Sequence, residues 1–144
     1  MASFTYIPAK KYLWDGTIDL DTHDIRIALV MTNSTADTDN TAALMNAFGT
    51  LDEMDGAGYA RQALTGEAVN QDTPNVRAEF DANDVAFTGI SNGTRQVQGA
   101  ILFKFVTNDA DSIPIFYIDF GSTINPGGGT INVVWDAQGI AQHT

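Results

Sequence analysis

Few side chains in this sequence combine the type and the spacing that catalysis requires. The chain has no cysteine, which excludes thiolate nucleophiles and every zinc site that needs sulfur ligands. Its two histidines, His23 in an aspartate-rich turn and His143 in the penultimate position, have no ordered set of partners for a nucleophilic triad. The glycines of 56–58 precede a predicted strand rather than a helix, so they do not form a phosphate-binding loop. These residue types predict that the protein is not an enzyme and has no cofactor.

Aspartates are concentrated in the predicted turns, and they are the remaining candidates for a metal site. They are Asp19, Asp21, Asp24, Asp37, Asp39, Asp109 and Asp111. Oxygen-rich loops can hold Ca²⁺, but these loops lack the spacing of the common twelve-residue calcium loop. Aspartate also stabilises turns by bonding to nearby backbone. We favour the turn interpretation and predict no metal site, with calcium binding as the alternative.

The charge balance restricts the partners that this chain can have. Eighteen acidic residues oppose seven basic ones, so the formal net charge is −11. Such an excess of anions repels nucleic acid and anionic membrane surfaces, which predicts no binding to either. No apolar run approaches the ~18 residues of a spanning helix. The first residues also lack the pattern of a signal peptide, so we expect no secretion signal.

In most of the segments that would position a site, apolar and polar residues alternate with a period of two, which is the period of a β-strand. Large apolar residues alternate in Ile25–Met31, Val76–Phe80, Gln96–Val106 and Ile131–Trp135, whereas 114–120 is apolar on both faces. Shorter candidate strands are 59–64, 67–70 and 85–87. Many short strands separated by glycine-rich turns predict an all-β fold. We expect an antiparallel β-sandwich, jelly-roll-like in its connections, with one or two short helices.

Two segments are predicted to be helical. Pro8 can begin a short helix that ends at Gly16, and Asp39 or Asn40 can cap a second helix over Thr41–Phe48. The chain then divides into an N-terminal arm with a short helix, residues 1–16, and a single β-sandwich domain, residues 17–144.

The N-terminal arm carries apolar and aromatic residues together with two of the seven cations. The candidate interface residues are Tyr6, Ile7, Lys10, Lys11, Tyr12 and Trp14. Aromatic side chains beside cations suit a contact with an acidic partner, including another copy of this chain. Trp14 is the stronger interface candidate of the two tryptophans, because Trp135 completes an alternating strand and is expected in the core.

The order of several motifs resembles a family of small structural proteins of tailed bacteriophages. Its members begin with a short helix, continue through a Gly-Thr-x-Asp turn and then form an Ile/Val-rich strand. The matching segments here are Lys11–Leu20, Asp24–Val30, Gly56–Leu64, Asp84–Thr88, Tyr117–Gly121 and Gly127–Ile140. The segment Asp37–Phe48 departs from the family by being more helical than the usual loop.

This resemblance implies a virion protein without catalytic residues, made in the cytoplasm of the bacterial host and placed on the head surface. It implies a capsid decoration or cement protein that binds the outer shell, bridges subunits of the major capsid protein and forms a homo-oligomer. The alternative is a tail- or fibre-associated module that binds a glycan of the host surface, because a β-sandwich serves either role.

Overall fold

A computed structural model describes residues 2–144 of the chain. It contains one α-helix, α1 (Ile7–Trp14), and a single 3₁₀ turn at Met45–Ala47. The strands are β1 (Phe4–Thr5), β2 (Ile25–Met31), β3 (Gln62–Ala63), β4 (Ala68–Asp72), β5 (Arg77–Asp81), β6 (Val85–Phe87), β7 (Val97–Lys104), β8 (Ile113–Ile124), β9 (Ile131–Val133) and β10 (Ala141–His143). The predicted all-β class is confirmed.

The strands form three antiparallel sheets. The main sheet has the order β1-β8-β7-β2-β3, the small sheet has the order β10-β5-β4, and β6 pairs with β9. Phe80 of the small sheet stacks on Phe116 of the main sheet with the ring centroids 6.3 Å apart. The two sheets therefore pack face to face, as in a sandwich. The jelly-roll order of connections stays a prediction.

The main sheet is buried on both faces at its centre, as its sequence suggests. The side chains of Ile27 and Leu29 in β2 and of Ile101 and Leu102 in β7 are inaccessible to solvent. In β8, Phe116 packs toward the small sheet, and the next residue, Tyr117, stacks on Phe4 across the opposite face. The sequence of a strand that is covered on both faces is a continuous apolar run rather than an alternation of apolar and polar residues.

The predicted helix over Thr41–Phe48 is wrong except for the short 3₁₀ turn. Leu44 is extended, and the backbone N–H groups of Met45 and Asn46 donate to the carbonyls of Ser112 and Asp109. Bonds to the loop before β8 thus replace the i→i−4 bonds that a helix would need. Asp39, one of the two predicted caps, accepts a bond from the N–H of Gly49 instead.

The structure also differs from the prediction at two strand boundaries and in two short strands. Val76 belongs to the β4–β5 turn and not to a strand, and Trp135 follows β9, half-buried, with its indole N–H donating to the Asn83 carbonyl at 3.0 Å. Strands β1 and β10 have two and three residues, which is too short for a period to be read.

The β4–β5 turn holds a strained residue. Val76 has φ of 55° and its side chain is 82% exposed. A β-branched residue is disfavoured in this left-handed region, whereas asparagine tolerates it. Nothing in the core is lost when the side chain of Val76 is replaced.

We therefore expect Val76→Asn to stabilise the fold by about 1 kcal/mol, since strained backbone of this kind costs on the order of 1–3 kcal/mol. Urea unfolding followed by circular dichroism measures the change. The matched control is Val134→Asn, which replaces another exposed valine that has no positive φ, and it should leave the midpoint unchanged or lower. A destabilised Val76→Asn variant would contradict the strain assignment.

Candidate functional site

A groove lies between α1 and the small sheet. We call it the α1 groove. Its volume is about 570 Å³. Its walls are mostly apolar, and polar side chains stand at the rim. The lining residues are Thr5, Lys10, Leu13, Trp14, Ile18, Leu20, Val69, Ala78, Glu79, Phe80, Phe116, Ala141, Gln142 and His143.

Helix α1 forms one wall of this groove because its sequence has two unlike faces. Ala9 is buried and Leu13 is half-buried, one turn apart, so this face anchors the helix on the domain. Ile7, Lys10 and Trp14 follow the i, i+3, i+7 spacing of a second face and are exposed. Trp14 is 79% exposed, and its ring meets the ring of His143 edge-on at 5.4 Å between centroids.

Lys10 differs electrostatically from the other cations. Lys11 pairs with Asp15 at 2.8 Å, the four arginines all pair with carboxylates, and Lys104 donates to the Thr17 carbonyl. Among residues 2–144, Lys10 is the one cation without an ion pair or a hydrogen bond. The rim of the α1 groove therefore combines an unpaired positive charge with an exposed indole on a molecule of strongly negative net charge.

The structure separates the six residues that the sequence proposed as an interface. Tyr6 lies in the core, with its hydroxyl donating to the Ala36 carbonyl at 2.8 Å and its ring 5.5 Å from that of Phe48. Burial raises the pKa of its hydroxyl. The ring is thus unavailable to a partner in this conformation.

The other five proposed residues belong to α1 and reach its surface to different degrees. Lys10 and Trp14 line the groove. Ile7 and Lys11 are exposed, and Tyr12 is half-buried against the core with the Lys11 ammonium 5.2 Å from its ring centre. An interface role for these five residues stays a prediction.

No pattern in the sequence marks His143 or the small sheet as parts of this surface. His143, the penultimate residue, belongs to β10 and pairs with Ala78 of β5. Trp14 and His143 are 129 positions apart by their numbers in the sequence, so no local pattern could have signalled their contact.

A second polar cluster, the Arg61 cluster, joins distant segments of the chain. The Arg61 guanidinium binds Glu53 through Nε and Nη2, at 2.8 and 2.6 Å, and it also binds both carboxylate oxygens of Asp109. Tyr59 donates to Glu53 at 2.7 Å and accepts a bond from the N–H of Leu29. The two carboxylates raise the pKa of Arg61, and burial raises that of Tyr59. The carboxylates of Glu53 and Asp109 are thus used as hydrogen-bond acceptors within the fold. The Arg61 cluster lies outside the α1 groove.

The aspartate-rich turns are held by their own backbone. Asp111 accepts bonds from the N–H groups of Thr107 and Asn108, and Asp19 accepts one from the N–H of Asp21. Within residues 2–144, no three His, Cys, Asp or Glu side chains are grouped so that they could hold a metal ion. Over the same residues, no helix has the length and apolar character needed to cross a membrane.

Comparison of the chain with known protein families, with curated proteins and with solved structures finds no match.

The bidentate geometry of Arg61 gives a test of its cluster. Lysine cannot bind two carboxylates through a planar fork, so Arg61→Lys leaves Glu53 and Asp109 poorly satisfied. We expect a loss of about 1.5–3 kcal/mol in unfolding free energy, the range for hydrogen bonds to charged groups. Arg26→Lys is the control, because its pair with Asp24 is more exposed, and it should cost about 0–1 kcal/mol. Equal losses in urea unfolding would contradict a special role for Arg61.

The turn aspartates predict acid sensitivity. Hydrogen bonds from Thr94 lower the pKa of Asp55, and bonds from Thr107 and Asn108 lower that of Asp111. A carboxyl group with a lowered folded pKa stabilises the fold above its unfolded pKa of about 3.9 and loses that effect as the pH falls through the folded pKa. We expect a constant urea midpoint from pH 7 to about 5 and a decline below about 4. If Asp55 and Asp111 cause this loss of stability, the Asp55→Asn, Asp111→Asn double variant should show a smaller decline. An identical decline would exclude these two residues as its cause.

Proposed function

We propose that this protein is a capsid decoration or cement protein of a tailed bacteriophage. It binds the outer surface of the head and stabilises the shell by bridging major capsid protein subunits. The observation that carries the proposal is the exposed face of α1, where Trp14 and the unpaired Lys10 border the α1 groove. Its placement in a phage rests on the resemblance of the ordered motifs to that family.

The α1 face has the composition of a binding site for a protein surface. Tryptophan contributes strongly to interfaces when it enters a complementary pocket, because its large ring buries apolar area at a low cost in side-chain entropy. Exposed Trp14 and Ile7 supply that area, and Lys10 supplies a charge that a partner carboxylate can pair. A cement protein needs only such contacts, since many moderate contacts across a lattice of sites give firm attachment.

The negative net charge fits the outer face of a shell. An acidic molecule is attracted to basic patches on the outside of the shell and is repelled by the packaged nucleic acid. Attachment that depends on these charges weakens as salt rises, because exposed pairs are screened beyond a Debye length of ~8 Å at physiological ionic strength.

The glycan-binding alternative has one supporting observation. The exposed indole of Trp14 lies beside the polar side chains of Gln142 and His143 at the rim of the groove. An aromatic face next to hydrogen-bonding groups can also receive a sugar ring. Labelling the protein in electron micrographs of virions separates the two proposals, because the cement protein belongs on the head and the glycan-binding module on the tail.

The test of the cement function uses heads prepared without the protein. We expect added protein to bind them and to raise the temperature at which they release DNA. Trp14→Ser should weaken binding by at least about tenfold, as removal of a central interface tryptophan does. Val134→Ser is the matched control, because it removes another exposed apolar residue remote from α1 in the sequence, and it should bind normally.

Two results would count against this function. One is a DNA-release temperature that does not change when the protein is bound. The other is a Trp14→Ser variant that is folded by circular dichroism and binds as well as the unsubstituted protein.

A further inference from the structure

Strand β4 is the longest of the described strands that lie at the edge of a sheet. It has five residues and pairs only with β5, whereas the other edge strands, β1, β3, β6, β9 and β10, have two or three. Its pairing with β5 runs without a register shift. Proline, lysine and bulges are the usual devices that prevent an edge from pairing, and Ala68–Asp72 has none of them.

The outward-pointing backbone groups of β4 can be identified from the bonds of β5. The Phe80 carbonyl accepts a bond from the N–H of Ile140, so Phe80 directs its backbone groups toward β10. Its partner across β4–β5 is Val69, which is therefore in a non-hydrogen-bonded pair. The N–H and C=O groups of Val69, and of Gln71 two residues later, consequently point away from the sheet.

This edge is complementary to itself. Val69 and Gln71 flank Asn70 symmetrically, and all three side chains are exposed. A two-fold axis beside Asn70 brings Val69 of one copy opposite Gln71 of the other in an antiparallel pair. The outward groups then form four hydrogen bonds between the chains, with the geometry of an ordinary ladder.

Charge favours a second copy at this edge. Two molecules of net charge −11 repel each other, so they approach most easily where the local charge is smallest. Between Ala68 and Ala78 the charged residues are Asp72 and Arg77, which form an ion pair at 2.9 Å, and Arg77 also pairs with Glu79 at 2.6 Å. The two-fold register places Asp72 opposite Ala68 of the other copy, so no like charges face each other across the strands.

We propose that two copies of this protein associate through antiparallel pairing of their β4 strands, which joins the two small sheets into one six-stranded sheet. The contact is isologous, as two-fold interfaces are. It borders the α1 groove, which Val69 also lines, but it uses the backbone of 69–71 rather than the side chains of Lys10 and Trp14.

Gln71→Pro tests this pairing in the full chain. Proline removes the outward N–H of Gln71 without removing a bond to β5, and edge strands tolerate it. We expect the unsubstituted protein to show a monomer–dimer equilibrium in sedimentation velocity. In Gln71→Pro two of the four bonds between the chains are lost, and the dissociation constant should rise by about tenfold or more.

Two control variants locate the contact. Gln142→Pro makes a corresponding change in β10, at the other edge of the small sheet, and Gln71→Thr keeps the backbone N–H in β4. Both should dimerise like the unsubstituted protein. Trp14→Ser should also dimerise normally, so failure of shell binding and failure of dimerisation are told apart. Hydrogen exchange gives a second readout, since the amides of Val69 and Gln71 should become more protected as concentration rises.

The proposal is overturned by a protein that remains monomeric at all concentrations, or by a folded Gln71→Pro variant that dimerises normally. Loss of the dimer in Gln142→Pro, with the fold retained, also overturns it, because the contact would then not be specific to β4. Retention of the dimer by Gln142→Pro and Gln71→Thr, with its loss in Gln71→Pro, supports it.

Discussion

The burial of β7 on both faces is the constraint on which the rest of the structure depends. Four consecutive residues, 100–103, are inaccessible to solvent, so the main sheet needs a layer on each side. The strand also approaches β8 closely at Gly99, where a Cβ would lie 2.5 Å from the Ile118 carbonyl oxygen. The register shifts between β7 and β8 occur next to Gly99 and between Leu102 and Phe103, so the tight approach and the irregular pairing belong together.

The segments that cover this sheet determine which surfaces remain free. On one face the small sheet packs through Phe80 against Phe116, and on the other Phe4 stacks on Tyr117. Tyr6 completes this second layer through its bond to the Ala36 carbonyl. Phe4 and Tyr6 are thereby fixed against the core, while the outer face of α1 stays open to a partner. The α1 face and the β4 edge lie outside these layers.

Electrostatics distinguishes these two surfaces from the remainder. Five of the seven cations pair with carboxylates within the chain, and Arg61 binds two of them, Glu53 and Asp109. The uncompensated charge of the molecule is therefore almost entirely negative. A free cation at Lys10 and a neutral stretch at 68–78 are the two departures from that pattern. A partner that presents carboxylates suits Lys10, and an equally acidic partner can approach the stretch 68–78.

The sequence by itself determined the β class and the positions of the longer strands, because alternation or continuous apolarity over five or more residues is a local property. The runs at Ile25–Met31 and Gln96–Val106 carry that signal, and their strands formed. Only the tertiary structure decided the short elements that the sequence did not predict. Bonds to the loop before β8 displaced a helix after Thr41, and β1 and β10 exist because longer strands accept them as partners. The α1 groove was equally hidden from the sequence, since Trp14, Phe80 and His143 meet only when the small sheet folds over the helix, and no local spacing records a contact between such distant residues.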